Sequence, residues 1–232
     1  MEKEVTITNI KKETPDTKTF RFDLKGSELN FIPGQFIMVT AQIDGNPVRR
    51  AFSLSSSPLR DYSEITVKVE KGGYFSGFAC EKFAEGCKIN IKGPYGHFTF
   101  RDGEAKSLLL IAAGSGIAPI RSIVQYIDDK KLNVRMTLLY SNKNETYIIF
   151  TKEFENLEKT NKNFRFVPTL TREESESWNG RMGRIDANMI KEFFMDGDLC
   201  YVCGPPAMVT KIVDLLKAHG VPEDRIKTEK FG

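Results

Sequence analysis

Near Arg101–Lys106 the texture of this chain changes, and no single-sheet fold accommodates what lies on both sides of the change. From Glu4 to about Phe100 the sequence is a series of six short β-rich runs: EVTITNI, TKTFRFDL, GQFIMVTAQI, RRAFSLSS, EITVKVE and KINIKG. Turn formers separate them at Pro33-Gly34, Asp44-Gly45-Asn46-Pro47, Gly72-Gly73 and Gly93-Pro94. Runs of this kind read as strands joined by tight turns and predict a six-stranded antiparallel β-barrel, interrupted by one helix at GFACEKFA. After RDGEAKS, apolar strands alternate with helical stretches: LLLIAA, PIRSIVQYIDDK, VRMTLLYS, FTKEFENLEKT, FRFVPTL, DANMIKEFF, DLCYVCG and PAMVTKIVDLLKAHG. That alternation predicts an α/β domain with a parallel sheet, expected here to have five strands. Two domains follow, residues 1–100 and 101–232, and the 232-residue length suits two cores of roughly 100–130 residues each.

Composition narrows the partners. The net charge of +3 arises from 34 basic and 31 acidic residues, without the dense basic blocks and interleaved aromatics of a nucleic-acid binder. The start, MEKEVTITNI, lacks the basic-then-apolar pattern of a signal peptide, and no run reaches the ~18 apolar residues that span a bilayer. A cytoplasmic protein is expected. Cys80, Cys87, Cys200 and Cys203 do not form a disulfide framework. Cys200 and Cys203 make a lone C-x-x-C with no second pair for zinc, and no spacing suits a plant-type iron-sulfur cluster. No metal site is expected.

Chemistry gathers at turns. In the second half, LLLIAAGSGIAPIRSIVQYI carries Gly114, Ser115 and Gly116 between a strand and a helix. Glycines there allow a sharp turn and close approach of a ligand, and the helix N-terminus beyond offers unpaired N–H groups to an anion. The third glycine of a dinucleotide-binding fingerprint is missing, so this loop alone reads equally as an ordinary strand-to-helix turn. A second turn, Cys203-Gly204-Pro205-Pro206, also follows an apolar strand, and ligands of open parallel sheets bind outside the carboxyl ends of the strands. Thr171 and Arg172 follow a third strand, where Arg172 reads either as a contact for an extra phosphate on the same edge or as one more surface arginine. In the first half, RRAFSLSS sets Arg50 and Phe52 on one face of a strand. VKVEKGGYFSGF then offers Gly73, Tyr74, Phe75 and Ser76, with Ser76 expected as the N-cap of a short helix able to bind pyrophosphate.

Together these motifs resemble the ferredoxin-NADP reductase superfamily over essentially the whole chain. Its flavin signature, Arg-x-Tyr/Phe-Ser/Thr, is matched by Arg50-Ala51-Phe52-Ser53, and its pyrophosphate signature, Gly-x-x-Ser, by Gly73-Tyr74-Phe75-Ser76. Gly93-Pro94-Tyr95-Gly96 resembles its domain-closing turn, and ETYIIFTKEFENL one of its helices. The pyridine-nucleotide signatures are matched by Gly114-Ser115-Gly116-Ile117-Ala118-Pro119 and Cys203-Gly204-Pro205-Pro206.

The resemblance implies FAD and NADP or NAD as cofactors. It implies that Arg50 pairs with the flavin phosphate, Phe52 packs on the isoalloxazine and Ser53 bonds near flavin N5, where hydride arrives. Phe52 stands where many members carry tyrosine, so one hydroxyl contact is absent. Val67, Lys68 and Val69 resemble the strand that lines the flavin, and Gly73 to Ser76 the pyrophosphate turn that favours FAD over FMN. Gly114, Ser115 and Gly116 take the nucleotide pyrophosphate, while Cys203, Gly204 and Pro205 set the nicotinamide toward the flavin. Glu229 resembles the family's acidic residue near the active site, and Phe231 its C-terminal aromatic, although a chain terminus is ordinarily frayed. With Thr171 in place of an acidic residue and Arg172 beside it, electrostatics lean toward NADPH.

The implied activity is an NAD(P)H oxidoreductase passing hydride to FAD and then single electrons to a separate acceptor, such as ferredoxin, flavodoxin or an iron-sulfur subunit. Two alternatives stand beside it: a flavin reductase that treats flavin as a diffusible substrate, and an electron-transfer subunit of a larger complex. Lys68, Lys71, Lys82 and Lys88 suggest a basic rim for an acidic redox partner.

Overall fold

A computed structural model describes residues 2–23, 29–173 and 177–231; Leu24, the last residue of the TKTFRFDL run, and Gly232 lie outside the described residues. The chain divides into two compact units. One comprises Met1–Arg101 with Arg121–Lys130, the other Asp102–Ile120 with Lys131–Gly232.

The first unit is built on β1 (Glu2–Thr14), β2 (Thr17–Asp23), β3 (Phe36–Ile43), β4 (Asn46–Ser53), β5 (Tyr62–Lys68) and β6 (Lys88–Tyr95). They form a six-stranded sheet in the order β4-β3-β6-β1-β2-β5, with antiparallel neighbours throughout. Leu54, just past β4, bridges Ile65 of β5, so the two edges meet and the sheet closes as a barrel. One strand has to turn a corner for this to happen, and β1 does so. Glu2–Thr6 pair with β6, residues from Ile7 onward pair with β2, and the register shifts between Ile7 and Asn9 and again between Lys12 and Thr14. Such irregularities bend a strand and let it serve two neighbours. Strict alternation in β3 buries Ile37, Val39, Ala41 and Ile43 against Val5, Phe20 and Leu54. Helix α1 (Tyr74–Lys82) closes that core with Phe75 and Ala79, starting at Tyr74 rather than at Gly77 as the apolar pattern predicts.

The segment Arg121–Lys130 belongs to helix α2 (Ile117–Asp129) and completes this unit through polar contacts. Arg121 and Glu64 are both almost fully buried, and Arg121 Nη1 donates to Glu64 Oε2 at 2.7 Å and to the Ser55 carbonyl at 3.0 Å. Arg21 Nε reaches the other carboxylate oxygen of Glu64 at 3.0 Å. Burial alone would raise the Glu64 pKa, but the Arg121 and Arg21 guanidiniums outweigh it and hold the carboxyl below the usual range. Ser122 Oγ donates to the Ser56 carbonyl, Ser57 N–H donates to Gln125 Oε1, and Arg60 pairs with Asp129.

The second unit carries β7 (Ser107–Ala113), β8 (Arg135–Asn142), β9 (Phe164–Leu170), β10 (Arg181–Met182), β11 (Leu199–Gly204) and β12 (Ile226–Lys230), with helices α3 (Thr151–Thr160), α4 (Ala187–Phe193) and α5 (Pro206–Ala218). The sheet is parallel throughout, in the order β10-β9-β8-β7-β11-β12. It has six strands rather than the five expected. β10 is two residues long, and β12, IKTEK, is charged and nowhere buried, so neither carries an apolar signal. The central strands are the opposite case: β11 is buried at every position and β7 at all but its last, the mark of strands covered on both faces. Leu109, Ile111, Leu139, Ile190, Val202 and Ile212 meet in this core. Asp186 caps α4 by accepting from Met189 N–H at 2.9 Å, and Pro206 opens α5 where its missing N–H costs nothing. Among the described residues no helix is long and apolar enough to cross a membrane.

Candidate functional site

In the first unit the two motifs of the barrel half meet. Phe52, near the end of β4, and Phe75, in the first turn of α1, pack with ring centroids 5.4 Å apart. Ser53 ends β4 and is buried, while Arg50 and Ala51 are exposed. Arg50 donates from Nη1 to the Arg49 carbonyl and forms no ion pair among the described residues. A cation without a carboxylate partner on an exposed strand suits an anionic ligand.

The turn before α1 shows why its residues are what they are. Gly73, not Ser76, is the N-cap, so no side chain caps this helix start. Ser76 sits inside the first turn, where its Oγ accepts from Glu70 N–H at 3.1 Å and donates to the Gly73 carbonyl at 3.3 Å. A Cβ on Gly73 would lie 2.6 Å from that Oγ and 2.9 Å from Glu70 Cβ, so glycine is required for the turn to close. The result is a helix N-terminus without a side-chain cap, the kind of end whose N–H groups suit an anion. Tyr74, half exposed, donates from its hydroxyl to Asp44 Oδ2, tying the turn to the β3–β4 connection. β5 ends at Lys68. Val67 is fully buried with its carbonyl facing Cys80 Sγ, and Val69 is exposed beyond the strand. Three of the four rim lysines face carboxylates, Lys68 with Asp16, Lys82 with Glu81 and Lys88 with Glu4, which weakens a basic rim.

In the second unit the two glycine turns touch. Gly114–Gly116 form a single 3-10 turn between β7 and α2, and a Cβ on Gly116 would lie 2.4 Å from the Cys203 carbonyl oxygen and 2.7 Å from Gly204 N. Only glycine lets the loop lie against the end of β11. Tyr140, on β8, holds the loop by donating from its hydroxyl to the Gly114 carbonyl at 2.9 Å. Ser115 lies between them, half exposed.

The chain end joins this cluster. Glu229 of β12 is in register with Cys203 of β11, and Phe231 N–H donates to the Gly204 carbonyl at 2.9 Å, so β12 and Phe231 are held along β11. Burial first, then the Glu229 charge, pushes the Cys203 thiol well above its ordinary pKa, so Cys203 stays a protonated thiol. Pro205 forms the cap of α5.

Beyond β9, Thr171 N–H and Oγ1 both donate to the Asn142 carbonyl, at 2.9 and 3.1 Å, and Arg172 N–H donates to the Lys143 carbonyl at 2.7 Å. Arg172 is exposed. Asn142 and Lys143 escape motif reading. The signal for them is positional, since Asn142 ends β8 and Lys143 follows it, between two turns already singled out. Among the described residues no three His, Cys, Asp or Glu side chains gather to hold a metal.

The sequence matches the oxidoreductase FAD-binding domain over residues 4–100 and the oxidoreductase NAD-binding domain over residues 110–214. It is 32% identical over 234 residues to the glycine betaine monooxygenase reductase subunit of Pseudomonas aeruginosa, covering 98% of this chain and 64% of that protein. It is 31% identical over 207 residues to the reductase component of a phenol 2-monooxygenase from a Pseudomonas species, covering 87% of this chain and 58% of that one. The chain thus spans less than two thirds of the length of these relatives. The fold is shared with the FAD/NAD-binding domain of the Vibrio cholerae nitric oxide dioxygenase, at TM-score 0.89 and 22% identity, covering 99% and 98% of the two chains. It is also shared with a ferredoxin NADP+ reductase from Neisseria gonorrhoeae solved with bound FAD and NADP, at TM-score 0.84 and 23% identity, covering 99% and 98%. With both domain families matched in order and the two-unit fold reproduced, the chain belongs to the ferredoxin-NADP reductase superfamily of FAD- and NAD-binding oxidoreductases.

Proposed function

We propose that this chain is the flavin- and nicotinamide-binding part of a reductase that draws electrons from NAD(P)H and passes them singly to a separate redox protein. Residues 1–100 take FAD and residues 101–232 the dinucleotide. The observation that carries this reading is the contact of Gly116 with Cys203–Gly204, which turns two separate glycine loops into one cradle at the carboxyl edge of the parallel sheet. In the first unit the uncapped α1 terminus and the exposed Arg50 fit a pyrophosphate, and Phe52 offers a partly buried ring. With FAD bound, the chemistry supplied is exchange of a two-electron donor for one-electron steps.

The protein's own residues then bind and orient. Arg50 neutralises phosphate, Ser53 ends β4 beside the flavin ring, and Val67 to Val69 present backbone to it. Gly114 to Gly116 hold the nucleotide pyrophosphate, while Cys203, Gly204 and Pro205 place the nicotinamide, with Glu229 and Phe231 beside them. Positioning of this kind supplies several kcal/mol of a barrier. Because its thiol stays protonated, Cys203 acts through shape and not as a nucleophile. Thr171 in place of an acid, with Arg172 beside it, favours NADPH.

The acceptor is a redox protein, and an oxygenase component is the favoured kind because the relatives include named reductase subunits of monooxygenases. The test is to purify the protein and reduce it anaerobically with NADPH and with NADH. One FAD per chain retained through gel filtration, bleached by either nucleotide and reoxidised by a redox protein, is the expected result. Flavin lost on the column but turned over as a substrate would replace this reading with the diffusible-flavin reductase. A higher kcat/KM for NADH, with no loss for NADPH in Arg172→Ala, would overturn the NADPH preference.

A further inference from the structure

Asn142 is 6% exposed, and its Nδ2 has no hydrogen-bond partner among the described residues. A buried amide donor left unmatched costs free energy, so such a group calls for a partner that the chain does not supply, a water or a ligand. Its position says what that is. Asn142 is the last residue of β8, two residues beyond Tyr140, so both side chains leave the same face of the sheet. On that face the Tyr140 hydroxyl already holds the Gly114 carbonyl. The Asn142 backbone carbonyl in turn receives both Thr171 bonds. In the strand order β9-β8-β7-β11, the strand ends carry Thr171–Arg172, Asn142, the Gly114 loop and Cys203 in succession.

We infer that Asn142 Nδ2 donates to a ribose oxygen of the adenosine half of the bound dinucleotide. The order of the strand ends matches the order of the ligand's parts. A dinucleotide with its pyrophosphate on the β7 turn and its adenosine 2′ substituent at β9 lays the adenosine ribose across the end of β8, the strand between them. The neutral carboxamide donor suits a ribose hydroxyl or ring oxygen, which is an uncharged acceptor. This inference rests on the proposed placement of the nucleotide at Thr171–Arg172 and Gly114–Gly116.

The test titrates 2′,5′-ADP, 5′-ADP and NMN into FAD-loaded wild-type protein and the variants Asn142→Leu, Asn142→Ala and Arg172→Ala, by calorimetry. Loss of one hydrogen bond should weaken both adenosine ligands about tenfold in the two Asn142 variants and leave NMN unchanged. Asn142→Leu should also melt above wild type, because it no longer buries an orphan donor. Unchanged ADP binding in folded Asn142→Leu overturns the inference, as does equal weakening of NMN or failure of both Asn142 variants to fold. Arg172→Ala separates the two readings, since it should weaken 2′,5′-ADP and spare 5′-ADP. If it weakens neither while the Asn142 variants still do, the Arg172 assignment falls and Asn142 stands.

Discussion

The two units build their candidate ligand corners from different materials. In the parallel sheet the corner is backbone against backbone: Gly116 lies on the Cys203 carbonyl, and Phe231 N–H closes on the Gly204 carbonyl. In the barrel the contacts are made by side chains: Phe52 on Phe75, Ser76 bracing its own turn, and the Arg121–Glu64–Arg21 cluster at the Ser55 carbonyl. Backbone contacts fail by collision when a methyl group is added, whereas side-chain contacts fail one hydrogen bond at a time. The nucleotide half should therefore respond to small steric changes in an all-or-none way, and the flavin half in graded steps, except where a charge is buried.

That exception gives the largest expected effect. Glu64→Gln leaves Arg121 buried without its counter-charge and should cost about 3–5 kcal/mol, read by denaturant melts and by release of FAD on heating. The same pair predicts acid sensitivity. The folded Glu64 pKa lies below its unfolded value of about 4.3, so its stabilisation is complete above that value and is lost as pH falls through the lower folded one. A plot of stability against pH should drop below about pH 4 in wild type and flatten in Glu64→Gln; parallel curves would remove the cluster from the contrast.

Next comes Gly116→Ala, whose methyl meets the Cys203 carbonyl. A cost of about 1–3 kcal/mol with loss of NADPH binding but retained FAD is expected. Retained nucleotide affinity would break the contrast between the units. Ser76→Ala is smaller, about 1 kcal/mol from the bond to Glu70 N–H, and should appear as weaker FAD retention with nucleotide binding intact. Smallest is a labelling difference: Cys80 and Cys87, both partly exposed, should alkylate ahead of buried Cys203, as followed by mass spectrometry of the intact protein.

What the sequence made legible tracks the same division. Six barrel strands and the four central strands of the parallel sheet stand out because period-2 or continuous apolar runs leave a trace in one dimension. β10 and β12 do not, being short or charged edges held by neighbours and not by a buried face. The glycine turns were readable as turns, but that Gly116 needs glycine because of Cys203, far along the chain, is a fact of three dimensions. Ser76 illustrates a subtler limit. Its type and place suit a cap, yet the turn needed Gly73 there and put the hydroxyl to work one step inside. Glu64 and Arg121 are separated by 57 residues, and nothing local marks either as the other's partner. The buried end of β8 at Asn142 was equally silent, since an asparagine after a strand reads as an ordinary turn residue.

The membership of Arg121–Lys130 in the barrel unit bears on how such proteins recombine. A chimera crossed over at Arg101 would inherit Glu64 from one parent and position 121 from the other. Unless that second parent also supplied arginine, the hybrid would carry a buried carboxylate facing the wrong residue. The exchangeable cassette is therefore discontinuous, and productive shuffling of the flavin half has to carry a helical segment from beyond the crossover point along with it.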